Sequence, residues 1–102
     1  MTDGAIDPLA LARMRDAAGS PFAFGTGDGE TVELRLRDVR VREAPPGYEQ
    51  YAAQFTGPAE PSLPQGTYTV GHATLGTFAL FIVPIAHAAD AMHYEACVIR
   101  RA

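Results

Sequence analysis

The sequence predicts a mainly β fold: an antiparallel small barrel or two-layer sandwich of about six or seven strands, with one short N-terminal helix. Three observations predict it. From Pro21 onward, apolar residues recur at every second position, the period of a half-buried strand. Clusters of Gly, Pro and Asp interrupt that pattern at short intervals. No later stretch carries the 3.6-residue period of a crossover helix, so consecutive strands must be joined by turns, and turns make an antiparallel sheet. The chain has 102 residues, 47% apolar and 20% charged. That composition suits one β-rich domain over residues 1–102 with a modest core and no need of metal or disulfide staples.

The helix is expected over about residues 8–18, in "DPLALARMRDAAGS". Asp7 offers an N-cap, Pro8 a first helical position, and Gly19 a C-terminal stop with Pro21 beyond it. Strands are expected over about 21–25 and 30–42, joined by a tight turn whose positive-φ positions fall to Gly25, Gly27, Asp28 and Gly29. In the second strand Val32, Leu34 and Leu36 share one face, but Val39 and Val41 have the opposite parity. A one-residue slip would turn the core face outward, so a β-bulge is predicted near Arg37–Asp38. "EAPPGYEQ" breaks the chain before a strand over about 48–56, in which Tyr51, Ala53 and Phe55 alternate with Gln50, Ala52 and Gln54.

The Pro-rich "GPAEPSLPQG" is read as a loop. A strand over about 66–72 follows, with Tyr68, Val70 and His72 on one face, and "ATLG" turns the chain with Gly76 at a positive-φ site. "TFALFIVPI", about 77–84, is apolar on both faces. It is expected to be the most buried strand and to stop pairing at Pro84. "AHAADA" is read as a loop, before a last strand over about 92–100.

Charge narrows the function classes. The net charge is −4, Lys is absent, and all eight basic residues are Arg. Arg35, Arg37, Arg40 and Arg42 form a strip that reads as a phosphate-binding line or as the solvated face of a strand; the acidic balance favours the strand face and argues against nucleic acid. One cysteine, Cys97, cannot form an internal disulfide. The opening "MTDGAIDPLA" lacks the basic and apolar parts of a secretory leader, and the longest apolar run is too short for a bilayer. A cytoplasmic location and no membrane partner are expected.

Two constellations invite a chemical reading. His87, Asp90 and His93 have three-residue spacings that would suit a metal, with Cys97 on the same strand face as His93. A closed structural zinc site wants four ligands, usually with thiolates, so a polar interstrand loop is the plainer reading. His72 is a possible general base, but Tyr68 is four residues away along the strand, too far to orient it. A hairpin-end imidazole that satisfies turn backbone groups is the plainer reading there. No nucleophile elbow, P-loop or dinucleotide fingerprint is present, and no cofactor is expected.

The pattern Gly57-Pro58, Leu63-Pro64-Gln65-Gly66-Thr67-Tyr68, His72, Leu75-Gly76, Phe78, Leu80-Phe81 and Val83-Pro84, followed by Tyr94-Glu95-Ala96, resembles a small bacterial family of single-domain proteins of unknown function. The likeness includes "VELRLRDV" and "FTGP", and this chain departs from it mainly in the Ala-rich "AHAADA". Gln65, Gly66, Thr67, Tyr68, His72 and Gly76 are its motif positions. The resemblance implies no reaction; it implies a setting among phage-tail-like assemblies of tail-collar type. Two function classes remain. One is a non-catalytic structural or interaction module whose partner is another protein or a second copy. The other is a small-molecule or metal-binding domain, which requires a concave pocket lined by His72, His87, Asp90 and His93.

Overall fold

The computed structural model describes residues 7–101. The order is α1 (Leu11–Asp16), β1 (Pro21–Gly25), β2 (Thr31–Arg42), β3 (Tyr48–Pro58), β4 (Gly66–His72), β5 (Gly76–Ala88) and β6 (Ala91–Arg101). The six strands form one antiparallel sheet in the order β1-β2-β3-β6-β5-β4, and β4 returns to β1 so that the sheet closes on itself. The closing seam is thin, with only Ala23↔Gly71 and Phe24↔Val70 paired. A single closed sheet, rather than two stacked layers, hides the inner apolar face.

Alternation along each strand fills the interior. Phe22 and Phe24 of β1, Val32, Leu34 and Leu36 of β2, Tyr51, Ala53 and Phe55 of β3, Val70 of β4, Leu80 and Ile82 of β5, and Tyr94, Ala96 and Val98 of β6 are all buried. Phe55 meets Phe22 and Phe24 edge-on, with ring centroids 5.2 and 5.5 Å apart, the arrangement aromatic quadrupoles favour. The predicted bulge is present: the β2–β3 register shifts between Leu36 and Asp38. It leaves Leu36 opposite Phe55 and Val39 opposite Ala53, so both parities of β2 serve the same interior.

Both ends of the sheet are plugged, each by a segment tied to a buried tyrosine. At one end Met14 of α1 is fully buried, and the Tyr51 hydroxyl donates to the Leu9 carbonyl at 2.7 Å. At the other end Leu63 of the Pro-rich loop is buried, and its N–H donates to the Tyr94 hydroxyl at 2.8 Å. Burial pushes the Tyr51 hydroxyl pKa well above its ordinary value, which keeps it a neutral donor. The α1 plug is also clasped from outside. Arg100 bridges Asp7 and Glu49, and Glu49 accepts the Leu11 N–H at 3.1 Å.

Several expectations are corrected. The helix is six residues long, not eleven. Asp7 caps a preceding turn by accepting the Leu9 N–H at 2.9 Å, and Ala10 holds the N-cap position without a side-chain bond. In the β1–β2 turn, Gly27 and Gly29 have positive φ, whereas Gly25 and Asp28 do not. β5 is not the most buried strand. In a closed sheet every strand has an outside, and its odd positions face out: Phe81 and Ile85 are each 48% exposed. β5 also does not stop at Pro84. That residue pairs with Tyr94, the register shifts before Ala86, and pairing resumes to Ala88. A bulge accommodates the proline, so most of "AHAADA" is strand, turning only at Ala89–Asp90.

Candidate functional site

A cleft with convergent polar side chains lies at the α1 end, between α1 and the β4–β5 turn. It has a volume of about 410 Å³ and is lined by Arg13, Asp16, Ser20, His72 and Thr74, with Pro21 and Leu75 among its apolar walls. Strand parity puts His72 there: it shares the inward face with Tyr68 and Val70 and is the last residue of β4. Gly76, at φ +83°, closes the turn so that His72 and Gly76 pair.

His72 is held on every side. Its Nδ1 accepts the N–H groups of Thr74 at 3.1 Å and Leu75 at 3.2 Å. Its Nε2 lies 2.7 Å from Ser20 Oγ, and its ring stacks at a tilt on Phe22 with centroids 4.4 Å apart. The connectivity assigns the protons. A backbone N–H can only donate, so Nδ1 carries the lone pair and Nε2 carries the hydrogen. Nε2 therefore donates to Ser20, and the Ser20 hydroxyl donates onward to the Ala17 carbonyl. A serine beside a histidine looks like an activated nucleophile, but here the nitrogen facing the hydroxyl is already protonated and cannot take the serine proton. Burial also lowers the His72 pKa, which favours the neutral ring this network requires.

The hairpin residues lie elsewhere. His72 pairs with Gly76 and His87 is eleven residues farther along β5, roughly 35 Å at the rise of a strand. His87 pairs with Met92, and His93 pairs with Ala86. Directly opposed residues share a face and successive residues alternate, so His87 and His93 point to opposite faces. Asp90 is exposed in the turn between them. Among the described residues no three His, Cys, Asp or Glu side chains gather as a group that could hold a metal. The four residues named from the sequence therefore do not line one pocket. Cys97 does share the outer face with His93, but its thiol lies 3.6 Å from Glu95. Burial, together with that carboxylate, raises its pKa.

The arginine strip faces outward along its whole length, because the bulge leaves both Arg37 and Asp38 outside. Arg35 lies 3.8 Å from Glu33, Arg40 3.5 Å from Asp38, and Arg42 3.8 Å from Glu95. Arg35 also donates to the Gly19 carbonyl at 2.6 Å, and Arg37 approaches His93 at 3.5 Å. Three of the four charges thus sit beside carboxylates, the arrangement of a solvated strand face. Of the motif positions, Tyr68 donates to the Pro64 carbonyl at 2.5 Å, while Gln65 and Thr67 are exposed. Together with Ser62, Leu63 and the β1–β2 turn, Tyr68 borders a second cleft of about 350 Å³ at the opposite end.

A different surface stands out on the outside of β5 and β6. Phe81, half-buried Val83 and Ile85 follow one another along β5, and Ile99 on the outer face of β6 is 57% exposed. β5 pairs with β6 only from Val83 onward, so the segment before it is paired with β4 alone.

A match to the family described as Domain of unknown function (DUF6916) covers residues 9–98. The chain belongs to that family. The match spans the α1 plug and all but the last residues of β6, so the cleft and the row Phe81, Val83 and Ile85 lie within the DUF6916 domain, with Ile99 just beyond it. No curated protein and no solved structure matches the chain. Among the described residues no helix is long and apolar enough to cross a membrane. Sequence reasoning missed Arg13, Ser20 and Thr74 as cleft residues. Ser20 and His72 are 52 positions apart, and no local spacing signals a contact made by sheet closure.

Proposed function

We propose that this DUF6916 chain is a non-catalytic protein-interaction module that binds another protein, or a second copy of itself, through the outer face of β5 and β6. The supporting observation is the row Phe81, Val83 and Ile85 along β5, with Ile99 exposed on the outer face of the neighbouring β6, on the outside of a sheet whose inside is already filled. Large apolar side chains placed together on the outside of a small domain mark association surfaces. The partly unpaired edge beside them offers backbone groups for strand addition. An accessory role in a phage-tail-like assembly is the setting implied by the sequence resemblance. Ser20 and His72 themselves read as scaffold rather than as a catalytic pair, since their bonds are satisfied within the chain.

The experiment is native mass spectrometry of the protein released gently from its own host, with sedimentation of the purified chain at rising concentration. The expected result is a multimer, or one stoichiometric protein partner, that is lost in Phe81→Asp while the circular dichroism of the variant is unchanged. A chain that stays monomeric at high concentration, with no partner sensitive to Phe81→Asp, overturns the proposal.

A further inference from the structure

We infer that the cleft between α1 and the β4–β5 turn binds a small carboxylate, with the Arg13 guanidinium as its anchoring group. The inference is independent of the interaction surface, which shares no residue with this cleft.

Arg13 carries the argument. Its Nε is the buried side-chain polar atom that lacks a hydrogen-bond partner among the described residues. Buried polar groups are nearly always paired, and leaving a charged donor unpaired is costlier than leaving a neutral one. No ion pair among the described residues involves Arg13, although five others tie down Arg35, Arg40, Arg42 and Arg100. Among the other polar groups of the cleft, Ser20 and His72 bond each other, His72 Nδ1 holds the Thr74 and Leu75 amides and lies 3.3 Å from the Thr74 hydroxyl, and Asp16 is a carboxylate in no ion pair among the described residues. Arg13 thus lines a concave site with its Nε enclosed and unbonded and its guanidinium in no ion pair among the described residues, and the volume of about 410 Å³ lies within the range of small-molecule pockets.

A guanidinium presents two parallel N–H donors that match the two oxygens of a carboxylate. Asp16 in the same cleft selects further. Its negative charge opposes a phosphate dianion, and it favours a carboxylate that also carries an amine, as an α-amino acid does. The Thr74 hydroxyl, on the cleft wall, lies 3.3 Å from His72 Nδ1 and can turn its hydrogen from that ring to the ligand as a neutral donor.

The test is a titration of the full chain, followed by amide chemical shifts, with sodium acetate, L-alanine and inorganic phosphate as separate probes. Saturable shifts of the Ser20, Thr74 and Leu75 amides are expected with acetate and L-alanine, at dissociation constants on the order of 1 mM. Arg13→Met should weaken that binding at least about tenfold, since one charge-assisted bidentate contact is lost. Arg15→Met, on the exposed side of the same helix, should leave it unchanged. Thr74→Val keeps Arg13 in place and should weaken binding by a smaller factor, which guards against an Arg13 variant that fails to fold. Three results overturn the inference: no saturable shift with either carboxylate, wild-type affinity in Arg13→Met, or phosphate binding without carboxylate binding.

Discussion

Gly57→Ala is expected to destabilise the fold, and the structure says by how much and through which atom. Gly57 lies near the end of β3, opposite Met92, with its missing side chain aimed at the interior. A Cβ built there would fall inside the van der Waals shell of Leu34 Cδ2, with Leu34 Cγ at 3.6 Å and the Glu33 carbonyl at 3.5 Å. Leu34 is fully buried, so its methyl cannot swing into solvent and must push into the aromatic core. Overpacking of this kind costs about 1–3 kcal/mol. At about 4–8 °C per kcal/mol for a domain of this size, Tm should fall by about 4–24 °C. The deciding assay is a double-mutant cycle by urea denaturation. Leu34→Ala alone should cost about 2–5 kcal/mol through the cavity it leaves. In that background Gly57→Ala should be neutral, or stabilising by about 0.5–1 kcal/mol, because the new methyl enters the cavity and a strand glycine is removed. Equal costs of Gly57→Ala in both backgrounds would refute the close-approach account.

Two further outcomes follow from the plugs and the cleft. Burial lowers the His72 pKa from its ordinary 6.5, so the unfolded chain takes up a proton before the folded one does. Stability is then complete above pH 6.5, falls as pH drops from there through the lower folded value, and levels off below it. His72→Gln keeps a side-chain acceptor but cannot titrate, so this component of the acid slope should vanish in urea midpoints measured across that window; an unchanged slope would remove His72 as the cause. Tyr94→Phe strands the buried Leu63 N–H and should cost about 1–3 kcal/mol. Amide exchange should quicken in the Pro-rich loop and stay unchanged in α1, and equal loosening at both ends would show that Tyr94 is not a local tether.

Much of the fold was legible because its signals are local. Period-2 alternation marked each strand, and the parity flip between Leu36 and Val39 could only be reconciled by a bulge. What failed was what depends on closure. A run apolar on both faces, such as "TFALFIVPI", reads as a central strand of an open sheet, but in a closed sheet one of those faces is outside. Pro84 reads as a stop because a proline has no N–H to pair, yet the neighbouring bulge absorbs the missing bond. The histidines of "HAADAMH" stand at spacings that would suit a metal, and a strand hairpin sends His87 and His93 to opposite faces. The cleft was invisible for the same reason. Arg13, Ser20 and His72 meet only when the N-terminal segment folds across the end of the sheet.

Closure also decides where function can reside. The interior is filled by aromatic and branched side chains, with no buried polar or charged residue among those described. A ligand cannot enter there without displacing the core, at a cost a small domain cannot bear. Binding is left to the outside and to the ends, and the two ends differ in kind. At the Pro-rich end, Leu63 and Tyr94 satisfy each other, and the nearby cleft holds the carboxylates Asp28 and Glu30 without an arginine. At the α1 end, the cleft contains a guanidinium whose Nε lacks a partner among the described residues. The outer β5 row is apolar and the α1 cleft is polar, so they suit different partners and should respond separately. Phe81→Asp should abolish association and leave carboxylate titration intact, while Arg13→Met should do the reverse. If either substitution abolished both, the two surfaces would be one coupled site, and a rigid closed sheet would have to transmit the change between them.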